Sequence, residues 1–65
     1  MAMRFSYQSS NFTVQDNTIV TGNWGFFTYG GLTSSTITNN TVTATVLFQG
    51  SFAGNTITPN TFTQI

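Results

Sequence analysis

Phe26–Thr45 reads FFTYGGLTSSTITNNTVTAT and Val46–Ile65 reads VLFQGSFAGNTITPNTFTQI, and the two stretches align without a gap at a period of 20. The clearest match sets TITNNTVT, residues 36–43, on TITPNTFT, residues 56–63. Self-similarity at a fixed spacing is the sequence signature of repeat proteins, in which each unit packs on its neighbours. The sequence therefore predicts stacked tandem units.

An earlier copy of the same unit lies nearer the N-terminus. Residues 13–19, TVQDNTI, match residues 36–42 at an offset of 23, and the extra residues fit a bulged corner at residues 22–25. Further upstream, FSY at residues 5–7 resembles FTY at residues 27–29 at an offset of 22. We therefore predict one domain, residues 1–65, built from three units at about 3–25, 26–45 and 46–65.

The pattern inside each unit is that of β-strands. Ile37 stands between two threonines, and Val42 does so again, which is the period of two expected of strands with one buried face. Asn39 and Asn40 between these segments mark a corner, because asparagine tolerates left-handed backbone and bonds its own backbone. Lys and Glu, which favour helices, do not occur. An all-β fold is expected.

The unit resembles that of the right-handed parallel β-helix of pectate-lyase-like proteins and phage tailspikes. The resemblance is carried by DNTIV at residues 16–20, NNTVT at residues 39–43 and GNTIT at residues 54–58. It implies a three-coil parallel β-solenoid with coils of about 20–23 residues and open ends. It implies no substrate, because members of that family are far longer.

In such a solenoid, equivalent residues of successive coils stack about 4.8 Å apart. One predicted column is an asparagine ladder with amides bonded from coil to coil, and two others are apolar and face the interior. The ladders are Asn17, Asn40 and Asn60; Val14, Ile37 and Ile57; and Ile19, Val42 and Phe62.

The ends of this solenoid are expected to be open to further backbone. Each terminal coil would present unpaired N–H and C=O groups, which repeat proteins usually cover with a cap. The sequence offers only Arg4 as an edge-protecting charge, and Ile65 aligns with Thr45, just before a new unit begins. A second copy could therefore continue the stack, a non-closing contact that yields filaments.

Composition excludes several classes of function. With one Arg, one Asp and no net charge, the chain lacks the cations that phosphate backbones require, so no nucleic-acid partner is expected. It has neither Cys nor His, and we expect no metal site and no cofactor. No apolar run approaches the length of a membrane-spanning helix, so membrane insertion is not expected. Asp16 is the only side-chain carboxylate and sits at a corner, which argues against an enzyme.

The predicted function is structural: a subunit that polymerises with itself, by head-to-tail stacking and lateral packing, into an extracellular filament or one on a cell or virion surface. The export route is open. Lateral or polymer contacts are expected at Phe26, Phe27, Tyr29, Val46, Leu47, Phe48, Phe52, Met3 and Ile65.

Two alternatives stay open. The aromatic residues, with Trp24, could form a sugar-stacking surface on a glycan-binding phage spike or adhesin segment. Outward Thr-x-Thr ranks at residues 36–43 and 56–63 resemble the ice-binding faces of insect antifreeze β-solenoids, although Gln15 and Val20 break the pattern in the first unit.

Overall fold

The computed structural model describes residues 2–65 and shows an all-β chain in that stretch, as the sequence predicted. Met1, the first residue of the predicted domain, lies outside the described residues. No helix long and apolar enough to cross a membrane occurs in the described part. The strands are β1 (Met3–Phe5), β2 (Ser9–Ser10), β3 (Thr13–Gln15), β4 (Thr18–Val20), β5 (Trp24–Thr28), β6 (Leu32–Thr33), β7 (Thr36–Thr38), β8 (Thr41–Ala44), β9 (Val46–Gln49), β10 (Thr56–Ile57) and β11 (Thr61–Gln64).

The strands form three three-stranded sheets and one two-stranded sheet, and every strand pair is parallel. The orders are β1-β5-β9, β3-β7-β10, β4-β8-β11 and β2-β6. Each three-stranded sheet thus takes one strand from each predicted unit, and the strand of the second unit is central. The chain visits the three-stranded sheets in the same order in every unit, and the third unit adds no strand to the β2-β6 sheet.

In β3, β4, β7 and β8, buried side chains alternate with more exposed ones, so that one face of each strand packs on the core. In β7, Ile37 is buried between two partly exposed threonines, and in β3, Val14 is buried between exposed Thr13 and Gln15. Burial of an aliphatic side chain of this size contributes about 1.5–3 kcal/mol. The fully buried large side chains all belong to the second unit: Phe26, Leu32, Ile37, Asn40 and Val42.

The register between units differs from the gapless alignment of the sequence. Residues of the first and second units pair at an offset of 23 in all four sheets, so that Phe5 lies opposite Thr28 and not Phe27. Phe26 lies opposite Phe48, an offset of 22, and the predicted pairing of Phe26 with Val46 is wrong. Further along, Thr36 and Thr56 pair at the expected offset of 20.

The two-residue shortening of the third unit occurs at the corner after β9. Gly50 lies against the Thr28 carbonyl, whereas the Leu32 N–H already donates to the Ser51 carbonyl. This corner contains residues 29–31 in the second unit but only Ser51 in the third. Gly30 and Gly50 are therefore not equivalent positions, although the gapless alignment matches them. A corner can shorten at little cost while the flanking strands keep their register.

Gly50 is the most constrained glycine of the described chain. Its φ is +113°, and a Cβ at this position would lie 2.2 Å from the Thr28 carbonyl oxygen. By contrast, a Cβ on Gly22 would meet nothing within 4 Å. The third unit can approach the second closely at this corner only because residue 50 lacks a side chain.

We predict that Gly50→Ala lowers the free energy of unfolding by at least about 2 kcal/mol, because the methyl group clashes and the backbone conformation becomes strained. The matched variant Gly22→Ala should stay within about 0.5 kcal/mol of the native chain. Urea unfolding followed by circular dichroism measures both. Equal stability of the two variants would contradict the assigned geometry of this corner.

Candidate functional site

An asparagine column runs across the three units at the corner between the second and third of the three-stranded sheets visited. The Asn17 N–H and Nδ2 both donate to Asn40 Oδ1, each at 3.0 Å. In the same way the Asn40 N–H and Nδ2 donate to Asn60 Oδ1, at 2.9 and 3.0 Å. Asn40 is 1% exposed, and its Nδ2 also donates to the Val14 carbonyl. The three asparagines predicted as a ladder are thus brought together, bonded side chain to side chain.

This column has a direction. Asn17 and Asn40 each give the N–H and an amide hydrogen to the unit after them, and the acceptor is always Oδ1 of that following unit. At one end, Asn17 Oδ1 has no donor among residues 2–65. At the other end, the Asn60 N–H has no acceptor in the same stretch, and its Nδ2 donates to the Ile37 carbonyl. The two ends are therefore complementary, one with an acceptor and one with donors.

A second polar column precedes the first by five residues in each unit. The Ser35 N–H donates to Asn55 Oδ1 at 3.0 Å, and the Phe12 N–H donates to Ser35 Oγ at 3.0 Å. Asn55 Nδ2 donates to the Leu32 and Phe52 carbonyls. The first unit has a phenylalanine where the others have a polar side chain, so this column lacks a side-chain acceptor at that end.

The corner before the asparagine column combines left-handed backbone with a side-chain hydrogen bond. Asp16 and Asn39 have φ values of +60° and +56°, conformations that Asp and Asn adopt more readily than most residues. Asn39 Nδ2 donates to Asp16 Oδ1 at 2.6 Å. Pro59 occupies the third position and has no N–H to donate to a following unit. Asp16 thus lies at a corner with left-handed backbone, and its carboxylate accepts a hydrogen bond from the Asn39 amide.

The two predicted apolar ladders lie in register. Ile37 pairs with Val14 on one side and Ile57 on the other, and Val42 lies between Ile19 and Phe62. The two ends of these columns differ in exposure: Val14 and Ile19 are 7% and 9% exposed, whereas Ile57 and Phe62 are only half-buried.

The predicted contact residues fall into three groups. Phe26 is fully buried in the core, so it cannot contact another molecule, and its prediction as a contact residue is wrong. Most of the partly buried residues, though not Phe27 and Val46, pack against that core, whereas Tyr29 and Ile65 are 72% and 65% exposed. The partly buried group is Met3, Phe27, Val46, Leu47, Phe48 and Phe52.

An aromatic cluster lies on the outer face of the β1-β5-β9 sheet. The rings of Trp24 and Phe27 stack at 5.0 Å with an interplanar angle of 9°, and Tyr29 meets Phe27 edge-on at 5.1 Å. The Arg4 guanidinium lies 5.4 Å from the centre of the Tyr29 ring. A cation over an aromatic face is attracted by the electron-rich ring. We call these four residues the aromatic cluster.

Threonine ranks cover the outer faces of the other two three-stranded sheets. The columns Thr13-Thr36-Thr56 and Thr18-Thr41-Thr61 are complete, while Gln15 and Val20 begin the two remaining columns. Thr38 Oγ1 is not free for solvent alone, since it donates to the Thr58 carbonyl at 2.7 Å. The threonine columns are thus regular over the second and third units and interrupted in the first.

Sequence reasoning missed the second polar column and the pairing of Arg4 with Tyr29. Ser35 and Asn55 carried a usable signal, since they lie five residues before Asn40 and Asn60, but Ser and Asn are unlike enough to hide the equivalence. Arg4 comes next to the aromatic residues only through the 23-residue register of β1 on β5.

Searches of protein-family models, curated proteins and solved structures found no match to this chain. Among residues 2–65, no group of three metal-binding side chains lies close together. Every buried polar side-chain atom in that stretch has a hydrogen-bond partner. The distinctive features of the described chain are therefore its directional polar columns and the sheet edges beside them.

We predict that Asn40→Leu lowers the free energy of unfolding by at least about 3 kcal/mol, because it leaves the Asn17 N–H and the Val14 carbonyl without hydrogen-bond partners. The same replacement at exposed Asn23, whose side chain makes no hydrogen bond in the described chain, should change stability by less than about 0.5 kcal/mol. Chemical unfolding compares the two variants. A similar loss at both positions would show that the column adds little.

Proposed function

We propose that this chain is a structural subunit, a three-coil parallel β-solenoid whose copies stack end to end into a filament. The directional asparagine column carries the proposal. The Asn60 N–H and Nδ2 of one copy would donate to Asn17 Oδ1 of the next, as Asn17 does to Asn40 within the chain. At the asparagine column, such a junction needs no new type of contact.

The sheet orders support the same arrangement. First-unit strands β1, β3 and β4 lie at one edge of the three-stranded sheets, and third-unit strands β9, β10 and β11 lie at the opposite edge. Edge strands offer a row of unpaired N–H and C=O groups that another chain can pair with. Since all strands run parallel, the third-unit edge of one copy fits the first-unit edge of another without a change of direction.

Apolar surface favours the same contact. Phe48, Phe52, Ile57 and Phe62 line the third-unit end and are only half-buried, although they pack against the core. Covering them with the first unit of another copy would remove more apolar area from water, at about 25 cal/mol per Å². Charge does not oppose the approach, because the chain has no net charge.

The position of the only side-chain carboxylate also favours a role other than catalysis. Asp16 lies exposed at a corner and accepts a hydrogen bond from Asn39, and no second carboxylate side chain exists to share acid and base roles with it. As part of the same proposal, the filament lies outside the cell or on a cell or virion surface. The aromatic cluster would then supply lateral contacts between filaments.

The filament is tested by assembly of the purified chain. We expect a critical concentration in sedimentation velocity, filaments in negative-stain electron micrographs, and a fibre reflection near 4.8 Å with an axial repeat of about 14 Å for three coils. Monodisperse particles at every concentration would overturn the proposal.

A substitution at the acceptor end should block this assembly. Asn17→Leu removes Oδ1, so we expect no filaments at concentrations where the native chain assembles. The monomer should still fold, because Asn40 and Asn60 keep their contact. Gln15→Leu changes an exposed amide at the end of edge strand β3, two residues before Asn17, and should assemble normally. Filaments of Asn17→Leu at the native critical concentration would contradict the proposed junction.

The aromatic cluster favours a second candidate, glycan binding. Stacked, partly exposed rings beside a guanidinium offer both a face for a sugar ring and a donor for its hydroxyl groups. Trp24 is the only tryptophan, so its fluorescence reports directly on this surface.

For this candidate we expect cellohexaose or chitohexaose to change the Trp24 fluorescence in a saturable way, and Tyr29→Ala to weaken binding about fivefold. Tyr7→Ala is the matched control, since Tyr7 is 79% exposed and is not part of the cluster. An unchanged emission spectrum with both sugars, or equal loss in both variants, would argue against this surface as a glycan site.

A further inference from the structure

Phe12 breaks a polar column that is otherwise continuous. The Ser35 N–H reaches Asn55 Oδ1, and the Phe12 N–H reaches Ser35 Oγ, so each unit takes its acceptor from the unit after it. Phe12 satisfies its own N–H in this way but has no side-chain oxygen to accept a hydrogen bond from a neighbouring copy. The asparagine column, in contrast, has an acceptor at all three positions.

This difference matters at the junction of the proposed filament, on which the inference rests. There the Asn55 N–H of one copy would face residue 12 of the next, as the Ser35 N–H faces Asn55. Phenylalanine cannot accept that hydrogen bond, and an N–H buried without an acceptor opposes association. At the junction, the donors of one copy would therefore find an acceptor at Asn17 of the next copy but none at its Phe12.

The Phe12 ring also covers the first-unit end. Its centre lies 5.6 Å from that of Phe5, and Phe5 is 5% exposed while Phe12 itself is 47% exposed. At the third-unit end, Phe48 and Phe52 are half-buried. A large exposed ring at the edge, placed where the column requires an acceptor, both shields the core and would obstruct the third unit of a preceding copy.

We propose that Phe12 limits end-to-end stacking and thereby sets the concentration at which the chain polymerises. Residue 12 is in this view the position that determines whether the first-unit edge accepts another copy. An amide or hydroxyl there would complete the second column. The side chain introduced by Phe12→Asn could also be held as Asn55 is, whose Nδ2 donates to the carbonyl three residues earlier.

The test compares Phe12→Asn and Phe12→Ser with Phe12→Leu. The two polar variants supply the acceptor, whereas leucine keeps an apolar cover without one. We expect the critical concentration, measured by sedimentation and light scattering, to fall at least about fivefold for Asn and Ser and to change less than about twofold for Leu. Circular dichroism melts identify a temperature at which all four chains are folded, and assembly is compared there.

The outcomes separate this inference from the proposed filament. If the native chain forms filaments and the polar variants do so at the same concentration, or if leucine acts like asparagine, the role of Phe12 is overturned while the filament stands. If the native chain stays monomeric and Phe12→Asn polymerises, the role of Phe12 is supported and the native filament is overturned. If neither polymerises, both are overturned.

Discussion

The structure depends on one requirement: a backbone N–H at a corner must find an acceptor after the chain has left the sheet. In this protein the acceptor is a side-chain oxygen of the next unit, Asn40 for Asn17 and Asn60 for Asn40. Because an amide side chain also donates, an asparagine can bond back to the core through a strand carbonyl, as Asn40 does at Val14. Register, corner and stacking direction are therefore fixed by the same few hydrogen bonds.

A bond that always runs from one unit to the following one gives the stack a direction. Parallel strands add to it, since a copy that continues the sheets with the same strand direction and the same inward face can pair only through the opposite edge. Growth of the proposed filament would then be head to tail. The interruptions at Phe12 and Pro59 lie at opposite ends of this direction, one lacking an acceptor and the other lacking a donor.

Sequence periodicity predicted the all-β class, the strands around Ile37 and Val42, and the equivalence of Asn17, Asn40 and Asn60, because strands and corners with special backbone tolerate few residue types. It failed at the corner after β9, where Gly30 was matched to Gly50. Both are glycines, but only Gly50 touches the Thr28 carbonyl, and a corner can lose two residues without disturbing the strands it joins. Burial of Phe26 was missed for a different reason: Phe26 and Phe27 are adjacent apolar residues of β5, and the sequence pattern does not show which of them faces the core.

Among residues 2–65, full burial of large side chains occurs only in the second unit, which has a neighbour on both sides. A unit of this kind cannot enclose its apolar face alone, so the outer units obtain only part of their possible packing from the chain itself. The first unit compensates with the Phe12 ring, whereas Ile57 and Phe62 in the third remain half-buried. No disulfide is available to offset this, since the chain has no cysteine. In the proposed filament, each added copy would convert an outer unit into an inner one, so the same apolar surface would contribute to stability and to assembly.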